Sequence, residues 1–255
     1  MQVIATVLGI PPDDGDRFRV WVHDMLEVAP TDVNVAIATL LDFSGYLQEH
    51  VERRRVEPSD DIVTFLLGAE FEGRPLTDPE IFGGCLLLLV AGIDTVWSAI
   101  GATLWHLASH PEQRKRLRDE PDLWPTAIEE FLRAFSPVTM AREVTQDTEL
   151  GGCPMKAGDP LLLPFPAANR DPDAFDHPDE VILDRALNRH FAIGVGIHRC
   201  LGSNLARMEL DTAVRRFLDR IPDSTLADAE AVMWSVGQVR GYYRWISGPE
   251  AGGCS

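Results

Sequence analysis

A long apolar run over residues 81–110 constrains this chain more than any other feature. It follows a helix start at Thr77, where Glu80 completes a capping box. The run is long enough to cross a membrane, but Asp94 lies near its middle, where an acid costs about 2.5–3.5 kcal/mol on insertion scales. We therefore predict no membrane span. We expect a helix over about residues 77–110 that is buried on all sides at the centre of a soluble protein.

Helical periodicity also dominates the rest of the chain, and no internal repeat is visible. A Pro-, Gly- and Asp-rich stretch over residues 151–189 holds short apolar runs typical of strands, and residues 234–245 indicate a terminal hairpin. The predicted fold class is mainly α with a small β part. Further helices are expected over about residues 32–55, 111–118, 123–135 and 201–220. The first is amphipathic, and its apolar positions include Val33, Ile37 and Leu41.

The charge balance argues against some classes of partner. The chain has 255 residues, with 23 Lys+Arg against 40 Asp+Glu and a net charge of −17. Binding to nucleic-acid phosphates or anionic lipid needs clustered cations, so we expect no nucleic-acid partner. The four cysteines are too few and too irregularly spaced for a disulfide framework. We therefore expect reduced thiols and a cytoplasmic protein.

A glycine-rich loop over residues 191–202 leads into a cysteine at the start of a helix. The positive end of that helix, together with His198 and Arg199, favours the thiolate form of Cys200. The glycines let the backbone come close to a bulky neighbour. The alternative interpretation is a buried structural cysteine beside an ordinary turn.

Two further features each have a functional and a plain structural interpretation. Asp94 and Thr95 form an acid–hydroxyl pair in the apolar helix, which suits proton delivery if Gly92 opens the helix for a ligand or water. Otherwise Asp94 caps a helix break and Thr95 bonds back to its own helix. Glu130 and Arg133 share a helix face, and such ion pairs are usually exposed and contribute little to stability.

Together and in this order, these features resemble the C-terminal part of a cytochrome P450, a haem-thiolate monooxygenase of the soluble bacterial type. Residues 91–95, Ala-Gly-Ile-Asp-Thr, resemble the family's distal helix. Glu130-x-x-Arg133 resembles its Glu-x-x-Arg motif, and Arg185 stands where the family has the third member of that triad. Residues 194–202 resemble the haem-ligand loop.

The resemblance covers nearly the whole chain. Arg142, followed by residues 149–152, resembles the family's propionate-binding region, and residues 169–172 and 237–241 also fit. It implies a cytochrome P450 fold, N-terminally truncated. Residues 3–12 resemble a stretch well inside the family's catalytic domain, so we expect residues 1–255 to form a single partial domain that lacks the N-terminal helices. In that case apolar surface on the distal helix is exposed.

The resemblance also implies a role for each matched cofactor residue. Cys200 is expected to be the axial thiolate, and thus the metal ligand, on the iron of haem b. His198 and Arg142 are expected to pair with the haem propionates. The remaining expected cofactor contacts are Ala91, Ile193, Gly194 and Gly196.

Further roles follow from the same resemblance. Asp94 and Thr95 are expected to relay protons during dioxygen activation. Glu130, Arg133 and Arg185 are expected to form a buried structural network, so that loss of one partner destabilises the fold. The expected substrate contacts are apolar and indicate an apolar substrate; they are Val90, Ala91, Val138, Thr139 and Val236.

The electron donors are expected to be separate proteins, a ferredoxin and a ferredoxin reductase. The chain has neither a dinucleotide-binding GxGxxG fingerprint nor an iron–sulfur cysteine cluster. An acidic ferredoxin needs a basic docking face, although a solvated helix face explains the basic run equally well. The residues that could form this face are Arg114, Lys115, Arg116, Arg118, Arg199, Arg215 and Arg216.

One position of the loop departs from the family pattern. Ile193 stands seven residues before Cys200, where the family usually has a Phe that shields the sulfur. We expect altered electronics of the sulfur rather than loss of haem binding.

The leading hypothesis is a monooxygenase that inserts one oxygen atom of O₂ into an apolar small molecule, with the cofactor performing the chemistry. The alternative is a catalytically inactive remnant that binds haem weakly or not at all and acts, if at all, as a binding partner. A third hypothesis, peroxide-driven oxygenation, is disfavoured by the presence of both Asp94 and Thr95.

Overall fold

The fold is mainly helical, as the sequence predicts. The computed structural model describes residues 2–29, 31–228, 230, 232–234 and 239–241. About 56% of the chain is helical and 10% is strand, which confirms the predicted fold class. The chain divides into two compact units, residues 1–94 and 95–255, which are described separately below.

The first unit packs short helices around an aromatic cluster. Phe18 lies edge-to-face against Trp21 at 4.8 Å between ring centroids, and Trp21 lies likewise against Phe43 at 5.4 Å. Its helices are α1 (Gln2–Val7), α2 (Gly15–His23), α3 (Val33–Val56), α4 (Ile62–Leu67) and the first part of α5 (Asp78–Ser109), with a π-helical turn at Asp24–Val28, a 3₁₀ turn at Pro12–Asp14, and a hairpin of β1 (Glu70–Phe71) and β2 (Arg74–Pro75).

Helix α3 buries only part of its apolar pattern. It begins where predicted, because Asp32 caps it by accepting hydrogen bonds from the backbone N–H groups of Asn34 and Val35. Phe43, Leu47 and Val51 are buried in the core of the first unit. The other apolar positions of its first half are exposed; they are Val33, Ile37, Leu40 and Leu41. Periodicity locates apolar positions on a helix but cannot say which of them another element covers.

Helix α5 is unbroken from Asp78 to Ser109 and is the one described helix long and apolar enough to cross a membrane by length and composition. Glu80 accepts hydrogen bonds from the N–H and hydroxyl of Thr77, each at 2.8 Å, as the predicted capping box requires. Leu87 is 67% exposed and Trp97 is 50% exposed. The expectation of a helix buried on all sides is therefore wrong. Exposed apolar surface on this helix, the second expectation, is observed.

The second unit holds the rest of α5 and the remaining elements. Its core contains Leu117, Phe131, Leu183, Leu210 and Val214, all nearly inaccessible. The helices are α6 (Pro111–Asp119), α7 (Trp124–Ala134), α8 (Phe165–Ala168) and α9 (Ser203–Arg220), with 3₁₀ turns at Pro121–Leu123 and Gly196–His198. The antiparallel strand pairs are β3 (Thr139–Glu143) with β6 (Pro160–Pro164), and β4 (Thr148–Leu150) with β5 (Cys153–Met155).

The predicted terminal hairpin lies mostly outside the described residues. Its described part includes Trp234 and Val239, and Val239 forms an isolated antiparallel bridge with Val138.

A buried ionic network ties α7 to the irregular segment that follows α8. Glu130 and Arg133 are both 0% exposed, so the interpretation of a surface ion pair is wrong. The carboxylate of Glu130 accepts two hydrogen bonds from Arg133, at 2.8 Å each, and one from Arg185 at 2.9 Å. The backbone N–H of Ile182 and the side-chain amide of Asn188 donate to the same carboxylate, at 2.9 and 3.0 Å.

Arg133 uses its other donors on backbone carbonyl groups. These carbonyls belong to Asn169, Pro178 and Glu180, at 2.8, 2.7 and 2.7 Å. Burial alone would raise the pKa of Glu130, but the hydrogen bonds from Arg133, Ile182 and Arg185 hold that pKa below its ordinary value. The carboxylate thus stays charged between two cations.

We expect Glu130→Gln to lower the free energy of unfolding by about 3–5 kcal/mol, because it leaves Arg133 and Arg185 buried without their counter-charge. Urea unfolding measures this change. The control is Glu120→Gln, which removes an exposed pair with Arg116 and should change stability by less than about 1 kcal/mol. Equal effects of the two substitutions would contradict a structural role for the network.

A buried histidine makes the second unit sensitive to acid. His106 lies near the end of α5 and is buried, with its Nε2 at 2.9 Å from Oε1 of Gln113 and its ring stacked on His110 at 4.0 Å. Burial lowers its pKa to about 4. In an unfolded chain the same ring takes up a proton near pH 6.5. The folded state therefore binds fewer protons here than the unfolded state between these two values.

Since the pKa of His106 is lowered by folding, its contribution to stability is present above pH 6.5 and is lost as the pH falls toward 4. We expect this group to account for a loss of about 2 kcal/mol between pH 7 and pH 5. His106→Leu should flatten the pH dependence of urea unfolding by that amount. The control is His23→Gln, which replaces an exposed histidine and should leave the pH dependence unchanged. A parallel pH profile for His106→Leu would refute the assignment.

Candidate functional site

The loop over residues 191–202 forms a turn that is stabilised by hydrogen bonds within its own backbone. The N–H of Gly194 donates to the carbonyl of Phe191 at 2.8 Å, and the N–H of Cys200 donates to the carbonyl of Ile193 at 2.9 Å. Gly194 and Gly196 have φ values of 68° and 70°. A Cβ on Gly194 would meet only ordinary contacts, at 3.7 Å or more, so the turn needs glycine there for its backbone conformation rather than for space.

Cys200 follows this turn and lies three residues before Ser203, the first residue of α9. It is exposed, so the interpretation of a buried structural cysteine is wrong. Its carbonyl accepts a hydrogen bond from Ser203 at 3.3 Å, which joins the loop to the start of the helix. Cys85 differs, because it is buried and burial raises the pKa of its thiol to about 11.

The surroundings of Cys200 fit a large, flat apolar group bearing a metal that thiolate can ligate. Ile197 is 95% exposed and Leu201 is 91% exposed, so exposed apolar residues precede and follow Cys200 within three positions of the sequence. A soft, exposed sulfur donor with apolar neighbours is the chemistry that haem iron requires of a thiolate ligand. The residues present therefore fit haem.

Arg142 and His198 are the residues predicted to pair with the propionates of haem. Both are exposed, and neither pairs with a carboxylate within the described part of the chain. Arg142 lies on β3 opposite Leu161 of β6, and its guanidinium donates to the carbonyl of Ala141 at 2.7 Å. Both side chains are thus available as hydrogen-bond donors to an anionic ligand.

The predicted substrate contacts of the second unit lie at the start of β3. Val138 forms its bridge with Val239, Thr139 pairs with Pro164, and both are half-buried. Val236 lies outside the described residues.

The predicted distal residues lie on an uninterrupted stretch of α5. Asp94 and Thr95 are half-buried and the helix continues through them, so the helix break is absent. The expectation that Gly92 opens the helix is also wrong. A Cβ on Gly92 would lie 3.0 Å from Cδ1 of Ile4, so this glycine lets α1 approach α5 closely.

The site residues fall into two groups. Val90, which is half-buried, and Ala91, which is exposed, belong with Asp94 to the first unit. Thr95, the Cys200 loop, Arg142 and the ionic network belong to the second unit.

The basic residues predicted as a docking face are mostly bound to partners inside the chain. Arg114 is buried and donates to the carbonyls of Leu107 and Ser224. The other engaged residues and their partners are Lys115 with Asp119, Arg116 with Asp184 and Glu120, and Arg215 with Asp211. Arg118, Arg199 and Arg216 are exposed, with no ion pair among the described residues. The face is therefore smaller than predicted.

Sequence reasoning gave no role to the residues that anchor the loop. The side-chain oxygen of Asn169, which is fully buried, accepts a hydrogen bond from the N–H of Phe191 at 2.7 Å. Glu129, His190 and Arg207 form a second anchor. The available signals were the position of Asn169 inside the recognised segment 169–172 and the adjacency of Glu129 to Glu130.

Comparison with known proteins places these features in one family. The cytochrome P450 family model matches residues 25–124 and 122–221. The chain is 34% identical to the polyketide biosynthesis cytochrome P450 PksS of Bacillus subtilis strain 168, over 91% of the chain and 58% of that relative. It is 36% identical to a steroid C26-monooxygenase of Mycolicibacterium smegmatis, over 98% of the chain and 63% of the relative.

Solved structures agree with this result. PksS superimposes with a TM-score of 0.89 at 34% identity, covering 94% of the chain and 63% of the PksS structure. The LnmA cytochrome P450 hydroxylase of Streptomyces atroolivaceus gives a TM-score of 0.87 at 36% identity, covering 96% and 64%. The chain thus spans less than two thirds of the length of these relatives. Within that span, the family match and the motif geometry show that this chain belongs to the cytochrome P450 family.

Proposed function

We propose that the protein acts as a haem-thiolate monooxygenase that inserts one oxygen atom of O₂ into an apolar small molecule. The single observation that carries this proposal is the exposed Cys200 thiol, held on a glycine turn that leads into α9, with the exposed apolar residues Ile197 and Leu201 near it in the sequence. Bound haem b supplies the dioxygen activation, and the chain supplies the ligand, the proton path and the pocket.

The roles of the individual residues follow from their chemistry. Cys200 would ligate the iron through its thiolate, and the glycine turn would keep the backbone close to the cofactor. Arg142 and His198, both exposed and without a carboxylate partner among the described residues, would bind the propionates. Gly194 and Gly196 shape the turn, and Ile193 and Ala91 would contribute apolar contact.

Asp94 and Thr95 would supply the protons that dioxygen activation consumes. An acid beside a hydroxyl on one helix can pass a proton from the carboxyl to the hydroxyl oxygen. The family resemblance implies the substrate contacts, which would be mainly apolar: Val90, Ala91, Val138, Thr139 and Val236. The relatives include a steroid monooxygenase and a polyketide enzyme by name, which fits an apolar substrate.

The electrons would come from a ferredoxin and its reductase. Arg118, Arg199 and Arg216 are exposed cations on an otherwise acidic chain, and Arg199 adjoins Cys200 in the sequence. Complementary charge of this kind steers an acidic partner to its docking site. We also propose a cytoplasmic location, where such donors and reduced thiols occur together.

The deciding experiment is the ferrous–carbon monoxide difference spectrum of this chain after expression with haem supply. We expect the red-shifted Soret band of thiolate ligation. Cys200→Ser should abolish that band, because a hydroxyl cannot replace the thiolate donor. Cys153→Ser removes another exposed thiol and should leave the band intact.

The proposal would be refuted if the parent chain bound no haem, or if Cys200→Ser still gave the thiolate-type Soret band. The first result would instead support the alternative of an inactive remnant.

The side chain seven residues before the cysteine offers a test of how the loop tunes the sulfur. Ile193 is half-buried, and its carbonyl receives the N–H of Cys200. We expect Ile193→Phe to move the haem reduction potential to more negative values, because a larger ring shields the thiolate from water and strengthens its donation. Spectroelectrochemical titration measures the potential. Val195→Phe, which adds a ring to an exposed position of the same loop, should leave the potential unchanged.

A further inference from the structure

A second ionic cluster joins the two ends of the cysteine loop to α7. The carboxylate of Glu129 receives two hydrogen bonds from Arg207, at 2.5 and 2.9 Å. Its Oε2 also lies 3.0 Å from Nε2 of His190. His190 directly precedes the loop and Arg207 lies on α9 just after it. One carboxylate therefore holds both the entrance and the exit of the segment that carries Cys200.

The hydrogen bonds assign a proton position to His190. Its Nδ1 accepts from the backbone N–H of Ala192 at 3.2 Å, so that nitrogen carries no proton. Nε2 therefore carries the proton and donates to Glu129. The side chain of His190 is only 3% exposed, which fixes the ring between the carboxylate and the loop backbone. The start of the loop is thus held by a directed chain of hydrogen bonds rather than by apolar packing alone.

Arg207 extends the cluster to the helix start that follows the cysteine. Its guanidinium donates to the carbonyl of Ser203, the first residue of α9, at 3.1 Å. Hydrogen bonding to Glu129 raises the pKa of Arg207. Glu129 stays ionised, because hydrogen bonds from Arg207 and His190 outweigh burial and lower its pKa to about 2. Because the N–H of Ser203 donates to the carbonyl of Cys200 at 3.3 Å, the Glu129–Arg207 ion pair lies two hydrogen bonds away from the backbone of the cysteine.

We propose that Glu129 is a positioning residue for the sulfur ligand: through His190 and Arg207 it fixes the geometry of the Cys200 loop, and it balances the charge of Arg207 near the start of α9. The effect on the haem rests on the proposed function, whereas the effect on the loop does not. The ion pair between Glu129 and Arg207 is partly exposed, at 31% and 26% of the side chains. Pairs of this kind contribute little to global stability, so removal of the charge should leave the fold intact.

The first test uses the chain without haem. Arg199 is an exposed trypsin site inside the loop, so the rate of cleavage after Arg199 reports how firmly the loop is held. We expect Glu129→Gln to speed this cleavage several-fold, with the cut identified by mass spectrometry. The matched control is Asp211→Asn, which removes the Arg215–Asp211 pair on the same helix without touching the loop. Urea midpoints for both variants should match that of the parent.

The second test uses the chain loaded with haem. In Glu129→Gln the charge of Arg207 is no longer balanced, so the reduction potential should shift to more positive values and the thiolate-type carbon monoxide band should lose amplitude. A merely structural ion pair would move neither of these readouts in a folded variant.

The outcomes separate the two proposals. Cleavage of Glu129→Gln at the rate of Asp211→Asn overturns the role of Glu129 in holding the loop, whether or not haem is bound. Faster cleavage with an unchanged potential and an unchanged band overturns its role toward the sulfur. A parent chain that takes up no haem refutes the proposed function and with it the effect on the sulfur, while the cleavage comparison still decides the role in the loop.

Discussion

Arg133 carries a positive charge at 0% exposure, and the path of the second unit depends on how that charge is satisfied. Removing a guanidinium from water costs several kcal/mol unless a counter-charge and further acceptors replace the lost hydration. Glu130 supplies the counter-charge. The remaining acceptors are the backbone carbonyls of Asn169, Pro178 and Glu180, which belong to a segment without regular strands. The network therefore holds an irregular segment in one conformation that apolar packing alone would leave under-determined.

The position of the cysteine loop depends on the network around Arg133 and Glu130. Asn169 gives its backbone carbonyl to Arg133 and its side-chain oxygen to the N–H of Phe191, where the loop begins. The adjacent Glu129 reaches the loop through His190 and Arg207. Two neighbouring glutamates on one helix thus have different tasks, because one points into the unit and the other toward the loop. The scaffold is held by many hydrogen bonds, although the side-chain nitrogen of Asn169 and the side-chain oxygen of Asn188 are buried without a hydrogen-bond partner. The thiol that it presents is exposed and open to a ligand.

Two expectations drawn from sequence patterns hold only in part. One concerns the apolar positions of α3, and the other concerns the basic run on α6. Val33, Ile37 and Leu41 recur at helical spacing, yet in this chain they remain open to solvent on α3. The basic run on α6 looks like a docking face in the sequence, yet the distant carbonyl of Ser224 engages Arg114 and the distant carboxylate of Asp184 engages Arg116. In both cases the pattern identifies the chemistry of a face correctly. The neighbours of that face depend on long-range contacts that a local pattern does not contain.

The sequence by itself determined the fold class, the positions of the main helices, the family and the candidate ligand Cys200. These follow from local rules, because periodicity, caps and glycine turns act over a few residues, and the motifs have a fixed order along the chain. Only the tertiary structure decided that Glu130 and Arg133 are buried, that Gly92 accommodates Ile4, and that Glu129 joins both ends of the loop. Burial and hydrogen-bond pairing depend on which distant segments meet, and sequence spacing leaves that choice open.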